Sequence, residues 1–188
     1  MTDAFALLNL PPRAALDEET LQAAYLSATR SAHPDQAGGD AQLSADLNAA
    51  LETLKSPVTR IKHLIEKHSD TPWRAVPLDT GLMNLFEKLG PLLQTGAAFL
   101  KKKQGATTAL TKALLANEEM RLRESLEELG ILIEEAWQQI EAQLSHYDAR
   151  MIAGDAGVWS DLQGTQARLA YLSKWRAQIR ELLLGLML

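Results

Sequence analysis

Chemistry-bearing side chains crowd into turn-forming sequence at His33-Pro34-Asp35, which opens the polar stretch His33-Pro34-Asp35-Gln36-Ala37-Gly38-Gly39-Asp40. Proline restricts the backbone there, and Asp35 supplies a carboxylate able to accept charge-assisted hydrogen bonds. A His33/Asp35 catalytic dyad would need a nucleophile or a third group, and none is identifiable. The other histidines offer less. His63 and His68 are five apart on a helical pattern, a poor spacing for a metal, and His146 stands alone. Lys101-Lys102-Lys103 reads as a solvated helix end favoured by the helix dipole. With Cys 0, disulfides, zinc fingers, cysteine-ligated iron–sulfur clusters and cysteine nucleophiles are excluded from this chain. The expectation is a binding protein with no metal and no cofactor, not an enzyme.

The elements that hold the polar loop are expected to be helices. The 188 residues include 34 Leu and 28 Ala against 3 Val and 7 Ile, which favours helix and starves any sheet of β-branched residues. A short helix of about Ala4 to Leu8 ends at Pro11-Pro12. Asp17 can cap a second helix, with Glu18 and Glu19 at its positive end and Leu21, Ala24, Tyr25 and Ala28 at helical spacing. Pro34 stops it. A third helix begins near Ala41 with Leu43, Leu47, Ala50, Leu51 and Leu54 on one face. Pro57 suits the first turn of a fourth, which carries Ile61, Leu64 and Ile65.

Residues 69–77, with Pro72 and Pro77 and no helical period, read as a linker between a first domain, 1–68, and a second, 78–188. The second reads as three longer helices in an antiparallel bundle. One spans about Thr80 to Leu100, with Gly90-Pro91 expected to kink or break it. The next spans about Glu118 to Ile152, and the stretch Lys101 to Ala109 before it is either a loop or a helical extension. Gly154-Asp155-Ala156-Gly157 then turns the chain into a last helix through Leu162, Leu169, Leu172, Ile179, Leu183 and Leu186. A net charge of −5 argues against a general nucleic-acid binder. No apolar run approaches the roughly 20 residues of a membrane span. The N-terminus lacks the basic start of a secretory signal, so a cytoplasmic protein without membrane attachment is expected.

The capped helix with Tyr25, the His-Pro-Asp tripeptide, the glycine-containing loop and the helices at Asp46–Leu54 and after Pro57 together resemble the J-domain of DnaJ-type co-chaperones. Asp3-Ala4-Phe5-Ala6-Leu7-Leu8-Asn9-Leu10-Pro11 and Asn48-Ala49-Ala50-Leu51-Glu52-Thr53-Leu54-Lys55-Ser56-Pro57-Val58-Thr59-Arg60 look like the HscB family, the J-proteins of iron–sulfur cluster biogenesis. So do Asp79-Thr80-Gly81-Leu82-Met83-Asn84-Leu85-Phe86-Glu87 and Leu169-Ala170-Tyr171-Leu172-Ser173-Lys174-Trp175-Arg176. The resemblance implies an all-α protein with a J-domain helical hairpin followed by a three-helix bundle. It implies that His33, Pro34, Asp35, Arg30 and Tyr25 meet a DnaK/HscA-type ATP-driven chaperone and stimulate its ATPase. It implies that Leu82, Met83, Phe86, Glu87 and Tyr171 hold the iron–sulfur cluster scaffold protein. In such an interface an aromatic anchors the contact and a charge sets the register.

The chain departs from that pattern where J-domains carry several cations. Leu26, Ser27, Ala28, Thr29 and Ser31 stand in the second helix, Gln36 follows Asp35 and Ala32 precedes His33, leaving Arg30 as the helix's one basic residue. Lys55, Arg60, Lys62 and Lys67 are positive charges that compensate in part. The alternative reading is a degenerate J-like helical interaction protein that binds a partner through its bundle without driving an ATPase.

Overall fold

The computed structural model describes residues 2–32, 41–70, 72–77 and 79–187, with only the backbone of Ser31 and Ala32. Every regular element among them is a helix: α1 (Ala4–Leu7), α2 (Glu18–Ala32), α3 (Ala41–Lys55), α4 (Pro57–His68), α5 (Thr80–Gln104), α6 (Ala109–Glu141), α7 (Leu144–Ile152) and α8 (Val158–Met187). No helix of the described residues is long and apolar enough to cross a membrane.

The starts follow from local chemistry. Asp17 Oδ1 accepts from the Thr20 N–H at 2.7 Å, which holds its carboxyl below the ordinary value. Ser56 Oγ accepts from the Val58 N–H at 3.3 Å with Pro57 in the first turn of α4. Asp79 Oδ1 accepts from the Leu82 N–H at 3.1 Å to open α5. α5 then runs through Pro91 without a break. The carbonyl that loses its partner to Pro91 belongs to Glu87, which is exposed, so water can satisfy it.

The middle of the second segment differs from expectation twice. α6 starts well before Glu118, because Thr108 and Thr111 exchange bonds: each N–H donates to the other's Oγ1 at 3.2 Å. This is a capping box with threonine in the place usually taken by Glu or Gln. The long helix expected to reach Ile152 is interrupted at Ala142-Gln143, where the Gln143 N–H donates back to the Ile140 carbonyl at 3.0 Å and α7 begins. α7 ends on Gly154, whose φ of 73° only glycine adopts without strain, with Asp155 N–H bonded to the Arg150 carbonyl at 3.1 Å.

The chain forms two compact units, Met1–Val76 with Ile140–Leu169, and Pro77–Gln139 with Ala170–Leu188. In the first, α3 packs on α1, α2 and α4, and Phe5, Leu54, Ile61, Leu64 and Leu162 are among its fully buried side chains. In the second, Leu82, Leu89, Phe99, Leu126, Ile133 and Leu172 are buried. There α5 and α8 approach closely at two glycines. A Cβ on Gly96 would sit 2.8 Å from Leu182 Cδ1, and one on Gly185 would sit 2.9 Å from Leu100 Cδ1.

Candidate partner-binding surfaces

The first surface belongs to the first unit. His33, Pro34 and Asp35 lie outside the described residues, but the two helices that bracket them are described. Leu21 on α2 and Leu47 on α3 are both buried. The Tyr25 hydroxyl donates to Asn48 Oδ1 at 2.6 Å, tying α2 to α3. Tyr25 is half-buried and serves as a strut between the helices. Arg30 is exposed in the last turn of α2.

What fixes this hairpin is a buried polar network that the sequence reading did not single out. Arg60 on α4 is 4 % exposed. Its Nε donates to the Ala14 carbonyl at 2.8 Å and its Nη1 to the Leu54 carbonyl at 2.7 Å, joining the lead-in to α2 with the end of α3. Burial lowers the Arg60 value, while the Glu141 and Asp148 carboxylates pull it back up. Asp148, on α7, accepts from the Ala14 N–H at 2.6 Å and the Ala15 N–H at 3.0 Å. Burial pushes its carboxyl up despite those bonds. Arg60 is therefore not available as surface charge for a chaperone. The available signal was its register: with Pro57, Ile61, Leu64 and Ile65, Arg60 and His63 fall on the buried face of α4.

His63 is 2 % exposed, and its Nε2 accepts from the Ala4 N–H at 2.9 Å, which pins α1 to α4. Accepting at Nε2 places the proton on Nδ1, which is buried without a partner. Burial lowers the His63 pKa below 6.5, although Asp3 Oδ1 at 3.4 Å favours the charged form. A depressed folded-state value means the unfolded chain binds the proton more readily. The stabilisation is therefore complete above pH 6.5 and is lost as pH falls from there through the folded-state value. Urea midpoints measured between pH 7.5 and 5 should fall with acidity in the natural chain. His63→Leu should flatten that slope; an unchanged slope would remove His63 as its source.

The second surface lies on the second unit. Trp175 on α8 is 3 % exposed and supports two rings, Phe86 of α5 at 6.2 Å and Tyr171 at 6.0 Å between centroids. Phe86 is 51 % exposed and Met83, one turn before it, 37 %. Glu87 is exposed and Tyr171 half-buried. These four form or border an apolar, aromatic patch, the kind of surface that marks an interaction site. Leu82, grouped with them from the sequence, is 3 % exposed; it packs inward and seats the helix. Arg176 flanks the region, paired to Glu134 at 2.9 Å and lying 4.7 Å from the Trp137 ring centroid. Among the described residues no group of three or more His, Asp or Glu side chains is placed to hold a metal ion.

No family-level sequence profile matches the chain. Among individual proteins it is similar to the co-chaperone protein HscB homolog of Burkholderia mallei (strain SAVP1), 42 % identical over 69 residues, covering 32 % of this chain and 39 % of that protein. It is similar to the HscB homolog of Haemophilus ducreyi at 35 % identity over 74 residues, covering 35 % and 43 % of the two. These matches thus span about two fifths of the relatives' length. The chaperone HscB from Vibrio cholerae shares the fold along 96 % of both chains, with a TM-score of 0.57 at 18 % identity. The resemblance to the HscB family read from the sequence is borne out by relatives and fold together.

Proposed function

We propose that this chain, HscB-like in sequence and fold, is a J-type co-chaperone of iron–sulfur cluster assembly. It acts through the α2–α3 hairpin on a DnaK/HscA-type chaperone and through the α5/α8 patch on a cluster scaffold protein. The observation that carries this reading is the hairpin itself. Two helices braced by Tyr25–Asn48 and anchored by Arg60 bracket a His-Pro-Asp tripeptide within an HscB-like chain. The tripeptide supplies a restricted backbone and a carboxylate able to take an arginine of the chaperone. Met83, Phe86, Glu87 and Tyr171 supply the scaffold contact. The protein itself carries out no reaction, holds no cofactor, binds neither nucleic acid nor membrane, and works in the cytoplasm.

The test is a single-turnover ATPase measurement with a purified DnaK-type chaperone and the full chain. Stimulation is expected, and Asp35→Ala should reduce it by about 10- to 100-fold, the size of a lost charge-assisted bond. No stimulation, or stimulation indifferent to Asp35→Ala, rejects the reading. A second reading, an interaction protein that binds a partner through the bundle without driving an ATPase, is favoured by the single cation of α2. Scaffold binding without any ATPase stimulation would select it.

A further inference from the structure

The face of α2 turned away from α3 has its own chemistry. With Leu21 buried and Tyr25 bonded to α3, one exposed face of α2 carries Glu19, Ala23, Leu26, Ser27 and Arg30 at helical spacing, with Glu18 and Thr20 also exposed in its first turn. Leu26 sits in the middle of that face and is 52 % exposed. One turn further on is Arg30, the only basic residue in Glu18–Ala32. The backbone of Ala32, the last residue before the tripeptide, lies roughly 9 Å of helix rise beyond Leu26. A chaperone that engages Arg30 and the tripeptide therefore has Leu26 within its footprint.

The charge on this face determines which partner surface it fits. A strongly anionic surface would gain one ion pair, at Arg30, and would have to desolvate its remaining carboxylates against Ala23 and Leu26. Glu19 would add repulsion at the far end. A surface with an apolar recess and one carboxylate loses nothing and buries the leucine. We propose that α2 docks on the chaperone through an apolar contact centred on Leu26 with one ion pair at Arg30. Engagement is then set by contact burial, with little electrostatic steering and a shallow dependence on salt. This inference rests on the chaperone reading above.

The experiment is titration of the full chain into the purified DnaK-type chaperone, read as ATPase stimulation at 50 and 300 mM KCl, numbers that bracket the screening range on the order of a Debye length of 10 Å. The half-saturating concentration should change less than about threefold between the two salts. Leu26→Ala should raise it about tenfold while leaving stimulation at saturation intact, and Leu26→Met should restore it. Circular dichroism of each variant checks the fold, which substitution at an exposed position should leave unchanged. Stimulation that needs Asp35 but ignores Leu26→Ala, or that weakens more than about tenfold with salt, overturns this inference and leaves the chaperone reading standing. Absence of any stimulation by the natural chain overturns both.

Discussion

Arg60→Ala is expected to lower the free energy of unfolding by about 3–5 kcal/mol, the usual result of removing one member of a buried charged network. Two bonds to main-chain carbonyls, at Ala14 and Leu54, disappear in a place water reaches poorly. Each such bond to a charged donor contributes roughly 1.5–3 kcal/mol, and the abandoned carbonyls keep their desolvation cost. Glu141 and Asp148 lose their positive neighbour as well. Arg60→Met separates the contributions, since it keeps most of the aliphatic volume and none of the donors. It should recover less than half of the loss. Urea unfolding followed by circular dichroism would read both, with the slope against denaturant unchanged. If Arg60→Met is as stable as the natural chain, packing holds the hairpin and the network is dispensable. Asp148→Ala should act through the same joint, because it leaves the Ala14 and Ala15 N–H groups unpaired. The double variant should therefore lose less than the sum of the two single losses.

The second large effect separates two aromatic residues in contact. Trp175→Ala should cost about 3–5 kcal/mol of stability, because it removes a large side chain that is 3 % exposed and props two other rings. Phe86→Ala, at a side chain 51 % exposed, should cost under about 1 kcal/mol in stability. Under the proposed function its effect falls on binding, and loss of an aromatic anchor should weaken scaffold affinity by about 30-fold or more in calorimetry. Equal affinity for the Phe86→Ala variant, still folded, would remove this face from the interface. Leu82→Ala should follow the Trp175 pattern, with a stability loss of about 2–5 kcal/mol, because Leu82 points into the core.

Local signals carried much of the fold. Asp17 and Pro57 announce their helices by local chemistry, and the structure starts helices there, while the caps at Ser56 and Asp79 emerge only in the structure. The apolar period separates inward from outward faces, but its resolution is coarse. Leu82 and Met83 are adjacent in sequence, and only packing shows that one is buried and the other partly exposed. The start of α6 was hidden because threonine at both ends of a capping box lacks the usual Ser/Thr-to-Glu signature. The interruption after Glu141 involves neither glycine nor proline, so propensity could not mark it. Arg60 and His63 were visible as polar residues on an apolar stripe. Their partners were not, because Ala4 lies 59 residues from His63 and Ala14 lies 46 from Arg60. Asp148 meets Ala14 across 134 residues, which no window of sequence reveals.

That last separation bears on how the chain is made. The unit holding the hairpin is assembled from Met1–Val76 and Ile140–Leu169, so its first part leaves the ribosome well before its last. At roughly 5–20 residues per second, the interval is about 5–20 s. Throughout it, the Ala14 and Ala15 amides lack Asp148, and Val58 and Pro72 lack Gln166 and Gln163. The apolar faces that later meet α7 and the start of α8 stay open for the same time. Long-range closure of this kind is slow and exposes aggregation-prone surface. A nascent chain stalled near Gln139 would be a substrate for the same class of machine that the finished protein is proposed to serve.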